Sequence, residues 1–435
     1  MKKTLIMAAA MLLSLPFVSA QDSHNVSVRP YGFIRNYLTF DSRNTYTVVG
    51  GEYNMIPYDV LWNEDNSEDL NAVPNMQMQA LTSRFGFRIL GPQLKGWTLT
   101  GKLEGDFGGF GTNNTVLRLR LAYLRLAMQG TELLVGQDWH PLSGDIMPEV
   151  LGMAAGAPFR PHSRTPQIRG TRYFGSFGYT AALLWQLQYM NNGPKSASDP
   201  TCVASIDFAH HALWPEAFIG LNFREGPWYA QLGADAQIIK PRTHALIGGI
   251  TKKVDESVSS ITPTLYAQYF DAHWSVKFRT LLASNTSHLN QLVGYAVTDV
   301  NADGSWNYAP LKATISYLNI AYIKYIGTPH DSHLQFNLFL GYMKNLGAGE
   351  DLWLDPSTGG YHIYMKGGEN FTHLDQVYRI APSVCYSIHR FDIGLEYELT
   401  AATYGDIAND GSILLNDNLH QVVNHRICTM VKYNF

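Results

Sequence analysis

Beyond its first twenty residues the chain has no long apolar run, few cysteines and few charges. No uninterrupted apolar stretch after residue 20 approaches the roughly 20 residues a spanning helix needs, which excludes a bundle of inner-membrane helices. Cys202, Cys385 and Cys428 are an odd number, so at least one thiol stays unpaired within the chain and a disulfide framework does not organise the fold. Only 16% of residues are charged, 32 Lys and Arg against 36 Asp and Glu, and a formal charge of −4 offers no basic surface for nucleic acid. Cofactor and metal motifs are also missing. Gly108-Gly109-Phe110-Gly111 leads into a strand and lacks the helix terminus that holds phosphate. His210-His211 has no Glu-x-x-His spacing, and Asn301-Ala302-Asp303-Gly304 reads as a turn rather than a calcium loop. The expectation is no cofactor, no metal and no catalytic residue.

What is present begins with Lys2 and Lys3, the apolar run Leu5 to Leu15, Pro16, and the small-residue ending Val18-Ser19-Ala20. This pattern predicts a cleaved secretory signal peptide over 1–20 and an exported chain over 21–435, of 415 residues, whose formal charge becomes −6 once Lys2 and Lys3 are gone.

The exported part breaks into segments of about ten to fourteen residues in which apolar side chains occupy every second place. Trp97, Leu99, Leu103 and Phe107 alternate with Lys102, Glu104 and Asp106, and Phe391, Ile393, Leu395 and Tyr397 alternate with Asp392, Glu396 and Glu398. Segments of this length match a tilted strand crossing a bilayer. Sixteen can be counted, at about 26–40, 80–90, 96–107, 116–128, 131–138, 166–174, 177–190, 216–224, 227–239, 260–271, 273–284, 313–326, 333–344, 374–387, 390–402 and 419–435. Short connections alternate with long polar ones. The predicted fold is all-β, a transmembrane antiparallel β-barrel with short periplasmic turns, long extracellular loops and lipid around its outer face. Such closure leaves no sheet edge unpaired in hydrocarbon. Cys385 and Cys428 then sit two strands apart, too far to bridge.

The ending Val431-Lys432-Tyr433-Asn434-Phe435 resembles the terminal strand of outer-membrane proteins, and implies recognition by the barrel-assembly machinery through Phe435. Tyr31-Gly32-Phe33-Ile34-Arg35, Ser83-Arg84-Phe85-Gly86-Phe87, Gly101 to Phe107, Leu117 to Tyr123, Gly136-Gln137-Asp138-Trp139 and Pro166-Gln167-Ile168-Arg169 are similar to successive strands of the DcaP-like porins, over residues 26–190. That resemblance implies a homotrimer of sixteen-stranded barrels with an anion-favouring, dicarboxylate-type pore for small polar solutes.

Strand phase places Arg35, Arg84, Arg88, Lys102, Arg118, Arg120 and Arg169 on the lumen face of the first six strands, a basic patch that would favour anions. Glu104 and Asp106 share that wall, and Asp138, Asp145 and Glu149 lie in or beside the third long connection, about 139–165. In porins generally the third loop folds inward, and Arg160 and Arg164 would then carry the patch to a constriction. If the ladder is the filter, Arg118→Glu with Arg120→Glu reverses anion preference. A plainer reading has the same charges solvate the wall and hold strands together as ion pairs. Two other functions fit the outline: a receptor or adhesin barrel whose bore stays shut while loops 41–79, 285–312 and 345–373 bind a partner, and an outer-membrane hydrolase with a dispersed triad.

Overall fold

The computed structural model describes residues 26–435 except 52, 110–115, 145–146, 153–155, 328–330, 409–411 and 414. The expected signal peptide, Asp145, and Phe110 and Gly111 of the glycine-rich stretch lie outside the described residues.

Sixteen long strands form one closed antiparallel sheet: β1 (Ser27–Asp41), β2 (Arg84–Leu94), β3 (Trp97–Asp106), β4 (Arg118–Met128), β5 (Thr131–Trp139), β6 (Arg164–Phe174), β7 (Phe177–Leu184), β8 (Glu216–Glu225), β9 (Trp228–Ile239), β10 (Val258–Phe270), β11 (Trp274–Ser284), β12 (Lys312–Ile326), β13 (Ser332–Gly347), β14 (Leu374–Ile388), β15 (Phe391–Ile407) and β16 (Leu415–Asn434). Each pairs with its sequence neighbours, and β1 closes the ring by pairing Phe33 to Asp41 with Asn434 to Arg426 of β16. Along its other edge β1 meets β2 over its first half and a short strand, Asn75–Gln79, over its second. At the seam the backbones of Gly32 and Phe435 exchange both hydrogen bonds, at 3.2 and 3.0 Å. The Phe435 ring lies where a Cβ on residue 32 would be, so only glycine fits there.

Side-chain sorting is the reverse of that in a water-soluble sandwich. On β15, Ile393 and Leu395 are 48% and 50% exposed while Glu396 is 3% exposed, and the same inversion runs along β3, where Leu103 faces out and Glu104 and Asp106 face in. Apolar residues facing out and charged residues facing in suit lipid outside and a polar lumen inside. The fold is a transmembrane β-barrel. Short turns lie at one end, where Lys95-Gly96 and Gln129-Gly130 take the positive φ pairs that a two-residue turn requires.

The strands agree with the alternation to within about five residues at their ends, as where the segment expected at about 80–90 runs Arg84–Leu94, with one larger shortening. The apolar rhythm continues to Tyr189, but β7 leaves its ladder at Leu184. Beyond it Gln186 and Asn191 hydrogen-bond each other and draw the chain into the turn that precedes the hairpin Asn192–Pro194 with Cys202–Ala204. The long connections carry their own structure: further hairpins at Thr45–Val48 with Tyr53–Pro57 and at His244–Ile247 with Ile250–Lys253, and a three-stranded sheet of Tyr295–Val300, Trp306–Pro310 and Ile363–Tyr364. Cys202, Cys385 and Cys428 are all free thiols.

Candidate functional site: the lumen and its inward loops

The connection between β5 and β6 lies inside the ring. Its residues 140–143 and 156–163 are buried, and its middle reaches strands on the opposite wall. The Glu149 amide donates to Asn319 Oδ1 of β12 at 2.7 Å, and Lys277 of β11 pairs with the Glu149 carboxylate at 2.5 Å. The amides of Leu151 and Gly152 donate to the two oxygens of Glu396 of β15, at 2.8 and 3.0 Å, and Tyr37 of β1 donates to Leu151 O. Arg379 of β14 donates to Ala157 O at 2.8 Å. The far wall makes room with glycine: Cβ atoms on Gly341 and Gly394 would lie 2.5 Å from the side chains of Phe159 and Leu151. Replacing Glu396 by Ala removes two acceptors worth roughly 1 kcal/mol each, and because the adjacent Leu151 and Gly152 amides open together, their hydrogen exchange should speed about thirtyfold. Exchange measured by mass spectrometry on the refolded protein checks this.

A second connection enters as well, part of the 41–79 stretch expected among the outer loops. Tyr53, Met55 and Ile56, in the hairpin that follows β1, are wholly buried. Arg379 donates to the carbonyls of Asn54 and Met55 at 2.9 and 2.8 Å, and Asn54 Nδ2 donates to Glu398 Oε1 at 2.6 Å. Arg379 therefore holds both inward segments. The sequence signal for it existed, since alternation on β14 turns it inward, but the inward segments it holds lie more than 200 residues away in the chain.

Within this frame the basic residues divide into two groups. Arg118 makes a two-pronged pair with Asp106, at 2.9 and 2.8 Å, and Arg120 bridges Glu104 at 2.8 Å and Asp106 at 2.9 Å. Arg84 and Lys102 lie 3.5 and 3.4 Å from Glu104. Arg169 pairs with Asp138 at 2.8 Å. Arg35 is set apart, donating to Thr82 Oγ1 and lying over Phe33 and Tyr37. Arg88, over the Tyr31 ring, lines an open cavity with Arg29, Lys102 and Arg125. The seven cations placed on one wall are thus joined only in part, and four of them surround two carboxylates.

Arg160 and Arg164 belong to the second group. Both are fully buried and form no ion pair with a carboxylate among the described residues; their guanidinium groups lie 5.0 and 4.8 Å from the Trp139 ring. Arg160 Nε and Nη2 and Arg164 Nη1 have no hydrogen-bond partner. Burial, with Arg279 and Arg164 nearby, pulls Arg160 down to about 10. Arg279 of β11 is 2% exposed, lies over Tyr266 at 4.7 Å, and leaves Nε and Nη1 unpartnered. His162 adds no charge: burial and the cations Arg164 and Arg160 hold its imidazole well below the ordinary range. With Nδ1 accepting from Arg160 at 3.3 Å, its Nε2 carries the proton and donates to Tyr53 Oη at 3.0 Å. Burial pushes the Tyr53 phenol up to about 12. Toward the turn end the bore widens to a cavity of about 650 Å³, lined by Arg125, Arg169, Arg224, Arg279, Tyr229 and Tyr266 among others.

No protein-family model matches the sequence, and no curated protein does. Solved structures do match. The outer membrane channel DcaP of Acinetobacter baumannii superposes with a TM-score of 0.64 over 94% of this chain and 98% of that one, at 15% identity. The chain has the DcaP fold. OmpT of Vibrio cholerae, an outer-membrane protein, follows at a TM-score of 0.50 and 12% identity, over 95% of this chain and 99% of its own. The likeness in fold spans both halves of the barrel, including the strands after residue 190.

Proposed function

We propose that the chain is a passive outer-membrane porin whose bore, narrowed by the 139–165 loop, favours small anionic solutes of the dicarboxylate type. One observation carries this reading: Arg160, Arg164 and Arg279 are buried guanidinium groups with free N–H donors and no carboxylate within ion-pair distance among the described residues. Buried uncompensated cations are costly, and an anion passing them offsets that cost. Arg279 borders the wide cavity, while Arg160 and Arg164 act on a solute through their field, so no single contact holds a solute with two carboxylates and transit stays passive. The homotrimer and the handling of Phe435 by the barrel-assembly machinery go with this reading, as does location in the outer membrane.

The test is planar-bilayer conductance of the refolded protein in a salt gradient. Stepwise openings in threes with a reversal potential toward chloride support the proposal; openings with no ion preference remove the anion part of it. A specific observation also favours a second reading, a receptor barrel with a shut bore, because two connections fill the lumen rather than one. A folded protein that inserts and stays silent would establish that reading instead.

A further inference from the structure

Where the root of the inward loop meets the wall, two imidazoles and two carboxyl groups are buried together. His140, the residue after β5, and His288, in a 3-10 turn at Ser287–Leu289, each place Nε2 2.9 Å from the same oxygen, Oε1 of Glu216 at the start of β8. Asp235 of β9 brings Oδ1 to 3.9 Å from His140 Nε2. The ligand atoms of His140, Glu216 and His288 all lie within 4.8 Å of one another. Both histidines are wholly buried, and Glu216 and Asp235 are 5% and 3% exposed. Among the described residues no Lys or Arg pairs with either carboxyl group, and Glu216 Oε2 and Asp235 Oδ1 have no hydrogen-bond partner. Glu216 and Asp235 hydrogen-bond each other only through a shared proton, and both can be carboxylates away from water only with positive charge beside them. One divalent cation supplies it.

We propose that His140, Glu216 and His288, with Asp235 as a fourth oxygen donor, bind a single divalent transition-metal ion, with zinc the best match. Two imidazole nitrogens with carboxylate oxygens are a zinc donor set, whereas calcium and magnesium take oxygen alone. Tetrahedral bonds of about 2.0–2.2 Å put neighbouring ligand atoms roughly 3.3 Å apart, so the 2.9 Å contacts open by a few tenths of an ångström and the wider pairs, which lie within 4.8 Å, close by up to about 1.5 Å. The ion takes the place of the Nε2 protons, and each neutral ring then carries its proton on Nδ1. His288 Nδ1 has no partner to lose, while His140 Nδ1 gives up the Leu142 amide it accepts at 3.1 Å. The bound ion clamps the loop at its root. The other end of the loop is tied to the same turn, since the His162 amide donates to Leu289 O at 2.7 Å and Asn290 Nδ2 donates to His162 O.

The experiment is titration of Zn²⁺ alone into EDTA-treated, refolded full-length barrel, with metal counted by mass spectrometry after desalting. The wild type should hold one zinc per chain. The double variant His140→Gln with His288→Gln should bind at least about 100-fold more weakly, and His210→Gln with His211→Gln should bind as the wild type does. If the first variant fails to fold, seen as loss of heat-dependent gel mobility, His288→Gln alone makes the comparison with the His140 to Glu216 contact intact. A wild type that retains no stoichiometric zinc, or a His288 variant that binds it as well as the wild type, overturns the proposal. Binding is read without conductance, so the porin reading can fail independently.

Discussion

Arg160→Gln together with Arg279→Gln should lower the chloride preference of the open channel by about tenfold. At an effective dielectric of about 20, a unit charge some 10 Å from a permeating ion changes its energy by roughly 1.7 kcal/mol, more than tenfold in occupancy, and salt in the bore takes back part of that for the pair. The measurement is the reversal potential in a potassium chloride gradient. An unchanged value would mean that the filter lies elsewhere and that the anion reading rests on the wrong arginines. These substitutions should leave folding intact, because neither guanidinium group is ion-paired with a carboxylate among the described residues. Removing an unpaired buried charge relieves a penalty rather than creating one.

The opposite outcome is expected of Arg118. Arg118→Gln should cost about 3 kcal/mol of stability, read from guanidinium unfolding in detergent micelles. It strips two charge-assisted hydrogen bonds from Asp106, a carboxylate with no exposed surface, and leaves Arg120 as its remaining ion-pair partner. Asp106→Asn in the same chain should return part of that loss, because the stranded charge goes with it. Full stability in the single variant would show that the wall ladder is not a staple. The contrast bears on the expectation that reversing Arg118 and Arg120 reverses selectivity. Their carboxylate partners cancel much of their field, so a conductance change in that double variant would be confounded by damage to the wall. The plainer reading, ion pairs joining strands, describes Arg118 and Arg120, and the selective reading moves to Arg160, Arg164 and Arg279.

The sequence by itself determined the barrel. A period of two sustained over lengths that cross a bilayer, with short and long connections in alternation, leaves few other ways to satisfy backbone hydrogen bonds in lipid. The same period told which residues face the lumen, since Glu104, Asp106, Arg279 and Glu396 all point inward as their positions require. Facing is a local property of the strand. Partnership is not, and only the tertiary structure decided it. Whether Arg118 is a filter or a staple depends on Asp106 across a ladder, and whether Arg160 is free depends on a loop crossing the lumen. The inward hairpin after β1 is held by Arg379 and Glu398, more than 300 residues later. The cluster of His140, Glu216, His288 and Asp235 escaped a search for spaced motifs for the same reason: Glu216 and Asp235 share the β8–β9 hairpin, but His140 and His288 come from two distant connections that reach it only in the folded barrel.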